Sequence, residues 1–136
     1  MSHGYSGTPL LKKLGIKPNF KICALFTPTH YRELLGPLPE GAIWLDEPQQ
    51  DVDFFHLFAK NKAVVEEYLP LLESLVNQSG MIWVSWYKKA AKIPTDLKEQ
   101  AIRDLALSMS LVDVKVCAVD AQWSGLKLVW RKELRS

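Results

Sequence analysis

The apolar positions along the chain change period several times, and each change marks an element. Leu10, Leu11 and Leu14 share one face of a two-turn helix over residues 8–15. Thr8 suits its N-cap, Pro9 its first helical position and Gly15 the position just past its end. Residues 20–26 are almost continuously apolar, the pattern of a strand buried on both faces of a parallel sheet. The Thr27-Pro28-Thr29-His30 stretch breaks that run. Thr29 can cap a short helix that continues to Leu35 and stops at Gly36-Pro37. Ile43-Trp44-Leu45 predicts a second strand, followed by the acidic pair Asp46 and Glu47, and residues 52–58 predict a third.

The clearest helix follows. Asn61 can cap it; Val64, Val65, Tyr68, Leu69, Leu72, Leu75 and Val76 recur at helical spacing, and Gly80 reads as its stop. Residues 81–86 predict a fourth strand and residues 88–94 a basic loop. Thr95 or Asp96 then caps a helix, Asp96 and Glu99 having the spacing of a capping box; Leu97, Ala101, Ile102 and Leu105 form its core side. After that the period falls to two. Val112, Val114, Val116 and Ala118 alternate with Asp113, Lys115 and Cys117, and Leu126, Leu128 and Trp130 alternate with Lys127 and Arg131. One polar face per strand predicts an antiparallel pair near a sheet edge, joined by residues 120–125. Strands alternating with helices imply right-handed parallel crossovers. The expected fold is therefore α/β: a small Rossmann-like three-layer sheet, mostly parallel, with a C-terminal antiparallel strand pair. No linker, repeat or low-complexity segment divides it, and residues 1–136 read as a single domain.

Composition narrows the function classes. The chain of 136 residues is 48% apolar and 24% charged, ordinary for a globular protein. Seventeen Lys and Arg against 15 Asp and Glu give a net charge of +2, too mild to argue for nucleic acid or membrane. The polar segment 1–10 carries no signal-peptide pattern, and no apolar run nears the ~20 residues that span a bilayer. Cys23 and Cys117 lie in strand-like runs without CxxC spacing; they read as buried free thiols in a reducing, cytoplasmic compartment. No P-loop, GxSxG or HExxH is present, and no His, Cys or carboxylate cluster has metal-ligand spacing.

In an open α/β sheet a ligand sits beyond the carboxyl ends of the strands. A dinucleotide or S-adenosylmethionine site needs glycine in the loop after the first strand, so that backbone can approach the ligand. Here that loop offers Thr27, Pro28, Thr29 and His30 and no glycine. Asp46, 19 positions beyond Thr27, stands where an acid would hold a ribose; the simpler reading is a solvated loop acid. Ser85-Trp86-Tyr87-Lys88-Lys89-Ala90-Ala91-Lys92 places lysines beside aromatic rings at the end of the fourth strand, a combination that can bind phosphates and bases, or be only a solvated basic loop. The ligand candidates are thus Thr27, Thr29, His30, Asp46, Ser85, Trp86, Lys88 and Lys89. His56 reads as a core or sheet-face histidine, and His3 as part of a mobile terminus. Asp51 and Asp53 fall at the amino end of the third strand, the wrong end for chemistry. Trp123-Ser124-Gly125 reads as a turn, with Trp123 a candidate interface anchor.

Ser6-Gly7-Thr8-Pro9-Leu10, Lys12, Leu14-Gly15 and Leu35-Gly36-Pro37-Leu38-Pro39 resemble the opening of the bacterial family grouped as domain of unknown function 3052. So do Trp83-Val84-Ser85-Trp86 with Lys88-Lys89, Thr95-Asp96-Leu97, residues 111–120, and Trp123-Ser124-Gly125-Leu126-Lys127. The resemblance implies a small bacterial cytoplasmic protein and carries no catalytic residue over. More distantly, the strand order resembles the S-adenosylmethionine-dependent methyltransferase fold, whose sheet also ends in an antiparallel pair, but without the glycine-rich cofactor loop. Three functions follow as expectations. The leading one is a binding module, with little or no catalysis, on a degenerate methyltransferase-like scaffold. It would take an anionic ligand or a partner protein, with nucleic acid only weakly supported. The second is an S-adenosylmethionine-dependent transferase with a glycine-free loop. The third is an oligomeric interaction domain that buries Trp123, Trp130 or the last strand against another copy. The cofactor, if any, stays open.

Overall fold

The computed structural model describes residues 9–136. Three strands form the centre: β1 (Lys21–Leu25), β3 (Val52–Phe58) and β4 (Val76–Tyr87), all parallel. β2 (Ile43–Trp44) flanks β1 in parallel. On the other side β6 (Trp123–Trp130) runs antiparallel between β4 and the edge strand β5 (Leu111–Ala118). The order is β2-β1-β3-β4-β6-β5. The expected antiparallel pair is present, but only β5 lies at the edge; β6 sits inside the sheet.

Strand alternation sends side chains to two cores. On β3, Phe55 and Leu57 meet α3 (Lys62–Leu75) and α4 (Glu99–Leu107), which supply Val65, Leu69, Leu72, Ile102 and Ala106. Phe54 and Phe58 point the other way, to Leu14 of α1 (Leu10–Leu14) and to Tyr31 and Leu35 of α2 (Tyr31–Leu35). The result is three layers, helices on both faces of one sheet. Residues 81–86 of β4 are buried throughout, as a strand covered on both faces must be. Trp83 is fully buried, and its indole N–H donates to the Leu14 carbonyl at 2.9 Å, which fixes α1 to the sheet. No helix among the described residues is long and apolar enough to cross a membrane.

Local signals set several boundaries as expected. Asn61 Oδ1 accepts the Val64 N–H at 3.1 Å and caps α3, and β3 has the bounds its pattern predicts. Others differ. Pro9 is the N-cap of α1, not its first residue, and Thr8 lies outside the described residues, as does His3. His30, not Thr29, precedes α2, and no side chain caps that helix. α3 ends at Leu75, where Val76 turns extended at ψ 140° and the chain enters β4 directly. Gly80 is therefore strand, at the irregularity between the Val52/Val76 and Phe54/Met81 pairs. A Cβ there would stand 2.5 Å from the Asp53 carbonyl oxygen, so glycine answers close backbone approach. The Asp96–Glu99 capping box does not form. Lys98 is the N-cap of α4, and Asp96 Oδ1 instead accepts the Lys62 N–H at 2.8 Å, at the start of α3. Trp123-Ser124-Gly125 is not a turn but the first part of β6, paired with Tyr87, Trp86 and Ser85. Trp123 is 4% exposed, so it anchors the core, not an external interface. Of the two free thiols, Cys23 is buried but Cys117 only half-buried.

Candidate functional site

Strand order reverses between β1 and β3, which places the crevice of an open α/β sheet at their carboxyl ends. β1 leads there into Phe26, a non-glycine residue at φ 57°. This left-handed conformation costs a side-chain-bearing residue about 1–2 kcal/mol. The Phe26 ring is 53% exposed and meets Tyr68 of α3 edge-on, centroids 5.1 Å apart. It thus bridges from the end of β1 to the helix that follows β3. Pro28, two residues on, has no N–H to offer. Asp46 is exposed just past β2. Since Ile22 pairs with Trp44, Asp46 leaves the sheet beside Ala24, three residues short of Thr27, or roughly 10 Å along the strand. These residues do not fit S-adenosylmethionine in its usual seat: an aromatic contact bridges the crevice, no glycine admits close backbone approach, and α2 is one short turn.

One open cleft among the described residues lies one strand over. A cleft of about 510 Å³ at the carboxyl end of β4 has Trp86, Ile93, Pro94 and Leu97 as apolar lining and Lys88, Lys89 and Lys98 as cations. That volume is in the range of small-molecule sites. A more open extension of about 830 Å³ reaches Lys60 and Asn61 past Tyr87. The wall is held by specific bonds. Thr95 Oγ donates to the Lys60 carbonyl at 2.7 Å and accepts the Leu97 N–H at 3.1 Å. Together with the Asp96–Lys62 bond, this straps the 88–98 loop onto the start of α3. Within that loop Lys89–Ala91 form a 3-10 turn, and Lys92 takes φ 55°. Glu99 is the acid in the cleft lining, and Arg103 already engages it together with Asp113.

Two further polar constellations flank the cleft. The Lys88 N–H donates to the Gln122 carbonyl at 2.8 Å, joining the loop to the turn after β5. In that turn Asp120 Oδ1 accepts from the Gln122 and Trp123 amides at 2.8 and 2.9 Å, and Oδ2 lies 2.7 Å from His30 Nε2. Burial raises the Asp120 pKa, but the His30 and amide hydrogen bonds outweigh it, and the carboxyl titrates below its usual value. Deeper, Tyr31 Oη, His56 and Ser85 Oγ form a buried chain. Tyr31 Oη lies 2.7 Å from His56 Nδ1, and His56 Nε2 lies 2.7 Å from Ser85 Oγ. Burial lowers the His56 pKa to about 3, so the imidazole is neutral at physiological pH. It stacks on Phe58 at 4.1 Å, and edge contacts continue through Phe58 to Trp123, which stacks on Tyr87 at 4.3 Å. Burial, with Glu47 adding, raises Cys23 to about 11, so that thiol is protonated and unreactive at neutral pH.

Of the residues singled out in the sequence, the structure brings Trp86, Lys88 and Lys89 together in one cleft. His30 joins Asp120 on the neighbouring rim. Thr27, Thr29 and Asp46 lie on the β1–β2 side and are not part of the cleft's lining. Ser85 is fully buried against His56, inside the sheet and not in the cleft. His56 is a core histidine, as its pattern predicts. Tyr87 belongs to the aromatic and basic stretch the sequence marks, whereas sequence pattern alone does not single out Lys98 or Asp120. The Asp120-Ala121-Gln122-Trp123 spacing does carry a signal for Asp120, since an aspartate accepting amides two and three residues on builds a turn. Among the described residues, no group of three or more His, Cys, Asp or Glu converges as a metal site would require.

Strand order, layers and the carboxyl-end cleft define a Rossmann-type α/β protein with one reversed strand inside its sheet. Its fold is that of S-adenosylmethionine-dependent methyltransferases. A methyltransferase of this kind from Aquifex aeolicus superposes with a TM-score of 0.64 at 14% identity, over 88% of this chain and 86% of that one. TrmN from Thermus thermophilus superposes at 0.59 and 11% identity over 90% of this chain, which spans only 47% of TrmN. A ribosomal protein L11 methylase from Lactobacillus delbrueckii subsp. bulgaricus gives 0.55 and 12%, over 90% and 75%. No family model matches the sequence. No curated protein matches it either.

Proposed function

We propose that this protein is a binding module on a methyltransferase-like scaffold, and that it takes an anionic small molecule in the cleft past β4. One observation carries the reading: Lys88, Lys89 and Lys98 ring a cleft with an apolar floor, whose lining acid is already paired. Trp86 and Pro94 suit a planar or apolar body, and the lysines suit phosphate or carboxylate. The test is thermal unfolding of the full chain with ATP, NAD, inorganic pyrophosphate and S-adenosylhomocysteine. A ligand at 100 times its dissociation constant adds about 2.7 kcal/mol, a rise of roughly 8 °C or more for a chain of this size. Lys88→Ala with Lys89→Ala should weaken binding at least tenfold. Unchanged affinity would exclude the cleft as the binding site.

A second reading is favoured by the scaffold itself: an S-adenosylmethionine-dependent transferase that seats its cofactor in an unusual way. The Aquifex and Lactobacillus proteins of like fold are a methyltransferase and a methylase, and Asp46 and the His30–Asp120 pair stand at the carboxyl-end rim. It requires saturable S-adenosylhomocysteine binding that Asp46→Ala impairs. No binding at millimolar concentration refutes it.

A further inference from the structure

The opposite part of the molecule carries a second set of cations. Lys115 of β5 and Lys127 of β6 are direct cross-strand partners, which puts both side chains on one face. Lys127 is also opposite Trp83, whose indole is bonded to α1, so that face is the α1 face. Lys115 Nζ donates to the Lys13 carbonyl at 3.2 Å, and Lys127 Nζ lies 3.9 Å from where a Cβ on Gly15 would stand. Lys17 follows two residues later and is close enough to repel Lys127. Like charges directly opposite across two strands destabilise a sheet. The Lys115 bond to the Lys13 carbonyl leaves the positive charge of the cluster unbalanced. No carboxylate pairs with Lys17, Lys115 or Lys127 among the described residues, and residues 1–8 contain no Asp or Glu. Partial burial lowers the Lys127 pKa, and repulsion from Lys115 and then Lys17 adds to it.

We propose that Lys17, Lys115 and Lys127, gathered at the C-terminal turn of α1, form a second anion site that binds a phosphoryl group. It is distinct from the β4 cleft and stands whether or not that cleft binds a ligand. A phosphate near neutral pH carries about −1.5 to −2 charges and so balances the excess of this cluster. The group could belong to free phosphate, a phosphomonoester or a phosphodiester backbone.

The experiment is thermal unfolding of the full chain in sodium phosphate against sodium chloride at equal ionic strength. Wild type should gain roughly 4 °C when phosphate is tenfold above its dissociation constant. Lys127→Met keeps an unbranched apolar stem opposite Trp83 and removes the charge. It should raise the midpoint in chloride, because repulsion is relieved, and abolish the phosphate increment. Lys115→Gln should reduce the increment, and Lys88→Ala with Lys89→Ala should leave it intact. Parallel titrations with a nucleoside monophosphate and a short oligouridylate identify which source of phosphoryl group binds. The proposal is overturned by no increment in wild type. An increment that survives both Lys127→Met and Lys115→Gln marks a general salt effect and overturns it too. Loss in the Lys88/Lys89 variant would move the anion to the β4 cleft, which equally overturns a site at α1.

Discussion

Lowering the pH from 7 to 5 should destabilise this protein through one side chain, His56. The imidazole is fully buried between Tyr31, Phe58 and Ser85, and burial holds its pKa near 3. In the unfolded chain it titrates near 6.5. Below that value the unfolded state binds a proton that the folded state refuses, so stability rises with pH through the window from about 3 to 6.5. The stabilisation is complete above 6.5 and is lost as pH falls, at up to about 1.4 kcal/mol per pH unit. Between pH 7 and 5 the loss is about 2 kcal/mol, or roughly 6–10 °C in midpoint for a chain of this length. The assay is urea unfolding at pH 7, 6 and 5 for wild type and His56→Gln. The variant loses buried hydrogen bonds and starts less stable at every pH, but its stability should depend less on pH by the stated amount. The Asp120 carboxyl, lowered in the fold, acts only below about pH 4 and leaves this window untouched. Equal slopes for the two proteins, within about 0.3 kcal/mol per pH unit, would refute a buried neutral imidazole.

Other perturbations test single contacts. Tyr31→Phe and Ser85→Ala each strand one ring nitrogen of His56, and each should cost about 1–3 kcal/mol in denaturant unfolding. The double variant should cost less than the sum if the chain acts as one network, and strict additivity would count against that. Gly80→Ala must push Asp53 backbone aside and should cost more than about 2 kcal/mol; a neutral result would mean that the β3–β4 irregularity relaxes freely. Phe26→Gly relieves the left-handed backbone and removes a half-exposed ring, so its stability should stay within about 1 kcal/mol of wild type. It should not create S-adenosylhomocysteine binding, because Pro28 still denies an amide; calorimetric binding in that variant alone would show that the ring was the sole obstacle.

Features set by neighbours in the chain are legible in the sequence. β3 is bounded by Asp51, at φ 62°, and by the Lys60-Asn61 helix start, so its apolar run shows its true length. The Asn61 cap acts over three residues and can be read directly. The features whose sequence signal misleads all answer to distant partners. Gly80 looks like a helix stop, yet its lack of a side chain serves the Asp53 carbonyl 27 positions earlier. Thr95 and Asp96 have capping chemistry but use it on Lys60 and Lys62, across space. Trp123-Ser124-Gly125 has turn composition, but pairing with the end of β4 overrides it. The Lys115–Lys127 pairing needs the register that follows the irregularity between Asp113 and Lys115, which no sequence spacing announces.

The same contrast explains why a methyltransferase-like sheet need not bring its cofactor site. The sheet depends on alternation and burial, and these persist from β1 to β6. The cofactor seat depends on a few backbone atoms left uncovered at the reversal between β1 and β3. Here an aromatic side chain at a position of positive φ follows β1 and rests on α3. Glycine would take that conformation freely; here a residue with a side chain takes it, and its ring leans on Tyr68. Meanwhile Thr95 and Asp96 tie the 88–98 loop back onto α3, and this holds the cleft beside β4 open with Lys88, Lys89 and Lys98 at its rim. On the proposed reading, the ligand site of the carboxyl end lies one strand over, at β4, and is lined by lysine side chains where a cofactor seat would offer backbone donors. Such a site favours charge over shape. Its affinity should therefore fall steeply with ionic strength, whereas a seat built from backbone amides around an adenosyl group would be far less sensitive to salt.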